Sequence, residues 1–96
     1  MAEKKEAYEE KREAQLRELQ ARIEMLRAKA EKAKADTKIE LYERVETLQD
    51  RREEAERRLQ EVREAGESAW QDFKSGVDDA FDDLEAAVES ARSHFE

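Results

Sequence analysis

Residues 16–30 read Leu-Arg-Glu-Leu-Gln-Ala-Arg-Ile-Glu-Met-Leu-Arg-Ala-Lys-Ala, and the recurrence of their apolar members decides the fold. Leu16, Leu19, Ile23, Leu26 and Ala30 are separated by alternating steps of three and four. On an α-helix that spacing returns a side chain to one face at every turn, which is the heptad seam of a coiled coil. A half-buried strand would need apolar residues at every second position, and the stretch does not alternate in that way.

The seam continues in both directions. Tyr8 joins it upstream. Downstream, the steps from Ala33 through Thr37 and Leu41 to Val45 are all four, and Leu48, Arg52, Ala55, Leu59 and Val62 follow. Extra steps of four are stutters, which locally unwind a left-handed supercoil. From Leu59 the repeat changes to eleven: Leu59, Trp70 and Phe81 form one series, and Val62, Phe73, Leu84 and Phe95 another. Gly66, Val77 and Val88 make a third, and Ala69, Ala80 and Ala91 a fourth. A period near 3.67 favours a straight or slightly right-handed seam. High charge with few aromatics can leave a chain disordered. Such phasing from Tyr8 to Phe95 argues instead for ordered helix with a partner surface to bury it.

Composition agrees. Of 96 residues, 48% are charged and 38% hydrophobic, and Ala, Glu, Lys, Arg, Leu, Gln and Met supply 68 positions. These are the strongest helix formers. Pro is absent and Gly occurs only at 66 and 76. The expected fold is all-α, a single domain over residues 1–96 consisting of a long amphipathic helix or coiled coil. Gly66, followed by Ser68 and Gln71 in a capping-box spacing, marks a point where the chain could fold back into a hairpin. A weaker signal, Thr37 with Glu40 near Asp36, would add a second break and produce a three-helix bundle. Persistence of the seam through both points argues for a continuous helix, which would span about 140 Å. Met25, Ile39 and Tyr42 lie off the seam and suggest a second local apolar face near the middle.

Charge is unevenly spread. Residues 1–35 carry +2, residues 36–65 carry −3 and residues 66–96 carry −7, for a net −8. The 1–65 shaft is laced with favourable i,i+4 pairs such as Glu18–Arg22, Glu40–Arg44 and Glu54–Arg58, each contributing about 0.2–0.5 kcal/mol. The 66–96 segment instead places like charges four apart, as Asp78–Asp82, Asp79–Asp83 and Glu85–Glu89, and holds four of the six aromatics. One stripe on a lone helix buries nothing, so a second copy or a fold-back is required. Charge favours antiparallel contact between the two ends in either architecture.

The same features bound function. Net negative charge argues against nucleic-acid binding. No apolar stretch suggests a signal peptide or membrane span, and the absence of cysteine suits a reducing cytoplasm. The acidic face of the last third has only Lys74 and Arg92 as cations, which argues against an anionic bilayer. Asp78-Asp79-Ala80-Phe81-Asp82 matches the Asp-Asp-x-x-Asp pattern with which prenyl-diphosphate enzymes hold Mg²⁺. A chain of this size and polarity cannot enclose the apolar cavity such chemistry needs. At most, Asp78, Asp79, Asp82 and Asp83 offer weak, non-specific divalent-cation binding. His94 is the only histidine, and no nucleophile-base set or phosphate loop is present. Neither a cofactor nor a catalytic residue is expected.

The stretches MAEKKEAYEEKREAQL (1–16) and AGESAWQDFKSGVDDAFDDLEAAVESA (65–91) resemble small bacterial coiled-coil domain-containing proteins. That family carries no assigned activity, and the resemblance implies a bacterial cytosolic protein. The eleven-residue repeats are similar in kind to those of exchangeable apolipoproteins and late-embryogenesis-abundant proteins. Two functional expectations follow. The first is a non-enzymatic structural or interaction module that self-associates through Leu16, Leu19, Ile23, Leu26, Leu41, Val45, Leu48, Leu59, Val62, Trp70, Phe73, Val77, Phe81, Leu84, Val88 and Phe95. It would present its acidic, aromatic 66–96 segment to a protein partner. The alternative is an amphipathic surface binder for lipid, granules or stress protection.

Overall fold

A computed structural model describes residues 2–95 as three helices, α1 (Ala2–Glu31), α2 (Ala35–Glu64) and α3 (Trp70–His94). The chain breaks at both sites the sequence marked, so the continuous rod does not form. The bundle measures 52 × 17 × 17 Å, close to the length of one 30-residue helix at 1.5 Å per residue. Short turns reverse the chain twice, giving an up-down-up bundle.

The seam is spent inside one chain. Ile23, Leu59, Val62, Val77, Phe81 and Leu84 are fully buried, and Leu16, Leu19, Leu26, Val45, Leu48, Trp70 and Val88 nearly so, in one continuous core. Residues assigned from sequence to contacts between copies therefore meet each other within a copy. Leu41 and Phe95 are half-buried, and Phe73 stands 39% exposed at the edge of α3. Met25 and Ile39 are 62% and 69% exposed and Tyr42 is half-buried, so the expected second apolar face is not closed.

The direction of α3 corrects the electrostatic expectation. Tyr8 meets Trp70 at 5.5 Å between ring centroids, Arg12 meets Asp78, and Gln15 meets Glu85. Both partners advance together, so α3 runs parallel to α1. The +2 and −7 segments do come into contact, but in parallel, because α2 lies between them in the chain. Two reversals restore the original direction.

Neither turn uses the expected capping chemistry. Lys34 is the N-cap of α2, in extended conformation and with no side-chain cap bond. The Thr37 hydroxyl donates to the Lys34 carbonyl at 3.2 Å and so does not cap from outside. Ala69 precedes α3 with no side-chain cap, and Gly66 does not adopt positive φ. The end of α2 is capped from a distance instead. Lys5 Nζ donates to the carbonyls of Arg63 and Ala65, at 3.0 and 2.6 Å. A cation there also complements the helix dipole. Since the Cβ of an alanine at Gly66 would meet nothing within 4 Å, Gly66→Ala should stabilise the protein by about 0.4–1 kcal/mol by restricting the unfolded chain. Urea denaturation checks this; a loss of stability would show that the turn needs glycine after all.

Candidate functional site

The most organised polar cluster lies where the starts of α1 and α3 meet. Its centre is Arg12, which occupies a seam position four residues from both Tyr8 and Leu16 and is only 9% exposed. A buried guanidinium requires partners for its donors. Arg12 Nη2 donates to Asp78 Oδ1 at 2.6 Å, Nη1 to Gln15 Oε1 at 2.6 Å, and Nε to the Tyr8 hydroxyl at 3.4 Å. The guanidinium carbon also lies 4.9 Å from the Phe81 ring centroid and 5.5 Å from that of Tyr8. Asp78 receives two further bonds, from the Tyr8 hydroxyl at 2.5 Å and from Lys74 Nζ at 3.0 Å.

This clamp perturbs its own ionisation. Burial pushes the Asp78 carboxyl up, but hydrogen bonds from Tyr8, Arg12 and Lys74 outweigh it and hold the pKa at about 2. Burial, reinforced by the bond to Asp78, pushes the Tyr8 phenol up to about 12. Burial works against the Arg12 cation, yet hydrogen bonds and charge from Tyr8 and Asp78 carry its pKa upward. All three groups are locked in one ionisation state across the neutral range. Such a cluster positions helices and has no group poised for proton transfer near pH 7.

The remaining aspartates diverge. Asp79, Asp82 and Asp83 are exposed on the outward face of α3, while Asp78 turns into the bundle. Among the described residues, no group of three or more acidic, histidine or cysteine side chains is placed to hold a metal ion. The weak cation site expected at Asp78, Asp79, Asp82 and Asp83 is thus not assembled, because Asp78 is committed to Arg12 and Lys74. His94 is exposed at the end of α3. Arg52, on the seam, is half-buried and paired with Glu56 at 2.9 Å. Arg63 bridges α2 to Glu13 of α1 at 3.0 Å.

Sequence reasoning passed over Arg12, Lys5 and Tyr8 as functional positions. For Arg12 and Tyr8 a signal existed, since both sit in phase with the seam. For Lys5 there was none. No described helix is long and apolar enough to cross a membrane. No protein-family model, curated protein or solved structure matches the chain.

Two outcomes test the clamp. Asp78 has a folded-state pKa below its ordinary 3.8, so its stabilisation is complete above about pH 4 and is lost as pH falls toward 2. Asp78→Asn should flatten the stability difference between pH 5 and pH 2, measured by denaturant midpoint, relative to the parent. A parallel fall in both proteins would remove Asp78 from the account. Separately, Arg12→Ala and Arg12→Met should each cost up to about 3 kcal/mol, since both strand the partly buried Asp78 carboxylate with only Lys74 and Tyr8 to answer it. A methionine variant as stable as the parent would mean that packing, not charge, is what Arg12 contributes.

Proposed function

We propose that the protein is a non-enzymatic helical interaction module of the cytoplasm, which offers the outward acidic face of α3 to a cationic protein partner. One observation carries the reading. Asp72, Asp79, Asp82 and Asp83 are exposed on α3 and make no ion pair among the described residues. Asp is a poor helix former, and like charges four apart destabilise a helix. Elsewhere the chain answers its acids with arginines one turn away, as in Glu18–Arg22 at 2.8 Å and Glu54–Arg58 at 2.9 Å. The last third forgoes that local compensation on a face that contributes nothing to the core. Such a departure from local consistency belongs to a surface shaped by binding. A partner bearing Lys and Arg would supply the missing charge.

The test uses an oligolysine peptide at low salt. In the free chain, Asp79→Asn with Asp83→Asn should raise stability slightly, by about 0.2–0.5 kcal/mol per like-charge pair removed. Oligolysine should raise the parent's Tm, lose that effect at high salt, and act weakly on the double variant. Equal action on parent and variant would reject the acidic face as the binding surface. Circular dichroism of the same samples addresses the surface-binding alternative, which needs the seam to open. A chain largely unfolded alone, gaining helix on phospholipid vesicles, would favour that alternative.

A further inference from the structure

The furrow between α2 and α3 is electrically polarised along its length. Beside the middle of α2, a groove of about 250 Å³ is lined by Arg44, Thr47, Arg51 and Ser90 above Leu48 and the alanines of α3, with no carboxylate among its walls. Arg44 reaches Glu40 with Nη2 at 3.2 Å, but its Nε is buried without a partner. Arg51 is exposed and forms no ion pair among the described residues. Near the end of α2, a second groove of about 270 Å³ lies in the same furrow, lined by Glu61, Glu64, Ala65 and Phe73; Glu61 pairs with Arg58 at 3.5 Å, while Glu64 forms no ion pair among the described residues. Phe73 is the one aromatic of α3 outside the core, at 39% exposed. Between the grooves, Arg58 lies across the furrow against Gly76, where an added Cβ would come within 3.8 Å of the arginine side chain.

We propose that a second copy of this chain docks antiparallel along the α2–α3 furrow, so that Phe73, Glu61 and Glu64 of each copy enter the Arg44–Arg51 groove of the other. Antiparallel docking brings each acidic end onto a basic end, whereas parallel docking opposes like charges. Because both grooves lie in one furrow, a two-fold axis at its centre satisfies both contacts at once. The interface is self-complementary and closes at two copies. Phe73 provides the apolar anchor and the carboxylates a charged rim, the arrangement typical of a contact centre. The contact occupies part of one face of a rod 17 Å across, which places it among small, transient interfaces. Its charge content makes it salt-sensitive. The inference rests on the interaction-module reading but is tested at Arg44, Arg51, Glu61, Glu64 and Phe73, none of which the oligolysine variants change, so either can fail without the other.

Sedimentation velocity on the full chain, from micromolar to millimolar concentration at low salt, tests it. The parent should show a monomer–dimer equilibrium that weakens with salt. Arg44→Glu with Arg51→Glu, and Glu61→Arg with Glu64→Arg, should each weaken dimerisation by more than about tenfold, since both contacts turn repulsive. An equimolar mixture should dimerise again, because the heterodimer holds one native and one reversed pairing. Phe73→Ser, at an exposed site, should weaken the dimer while the circular dichroism spectrum stays unchanged. If a charge-reversed chain loses its helical spectrum, the Phe73→Ser result decides. A parent that stays monomeric throughout, variants that dimerise like the parent, or folded variants that fail to recombine would each overturn the proposal.

Discussion

Everything in this molecule follows from one constraint: each helix carries one apolar stripe, and a stripe on a lone helix stays wet. Three stripes turned toward a common axis remove Ile23, Leu59, Phe81 and Leu84 from water completely. Burial at about 25 cal/mol per Å² of apolar surface is the only large favourable contribution open to a chain that is 48% charged. Ion pairs along the exposed faces are worth a fraction of a kcal/mol each and cannot replace it. The two reversals are what let a single chain satisfy the constraint.

Reversal has an electrostatic consequence. With α2 between them, α1 and α3 run in the same direction, and the acidic third lies beside the basic one along their contact. Much of the mismatch at their starts is gathered into one point, where Arg12 and Lys74 face Asp78 and Tyr8 completes the hydrogen bonding. The clamp sets register between α1 and α3, which share less contact than α2 and α3 do. A seam made only of Leu and Val would accept a shift of one turn; a buried arginine that needs Asp78 would not.

The helical class, the seam and its burial could be read directly from spacing, because 3.6-residue periodicity is a local property. The breaks are legible only as possibilities, marked by glycine at Gly66 and more weakly by Thr37 and Glu40 near Asp36, because the seam continues through both points. A turn does not need to reset phase when each helix begins with its stripe facing inward. The parallel course of α3 is not legible in net charge per segment, which has no direction; the number of reversals decides it. Lys5 closing the end of α2 was illegible, since its partners are main-chain carbonyls some 60 residues away. Of the candidate surface, the exposed aspartates could be read as a solvated face. Phe73 could not be told from its seam neighbours, because at the edge of a stripe exposure depends on where the next helix lies.

The central claim is that the seam closes within one chain, with α1 and α3 side by side and parallel. The absence of native cysteine allows a direct distance measurement. Met25 and Glu89 line the same groove between α1 and α3, so spin labels on cysteines at these two positions report the arrangement. The doubly labelled chain is diluted into excess unlabelled protein and read by pulsed dipolar spectroscopy. The account predicts one short distance, on the scale of the 17 Å width of the bundle, unaffected by dilution. A distance clearly beyond that width, or a short distance that disappears on dilution, would contradict it.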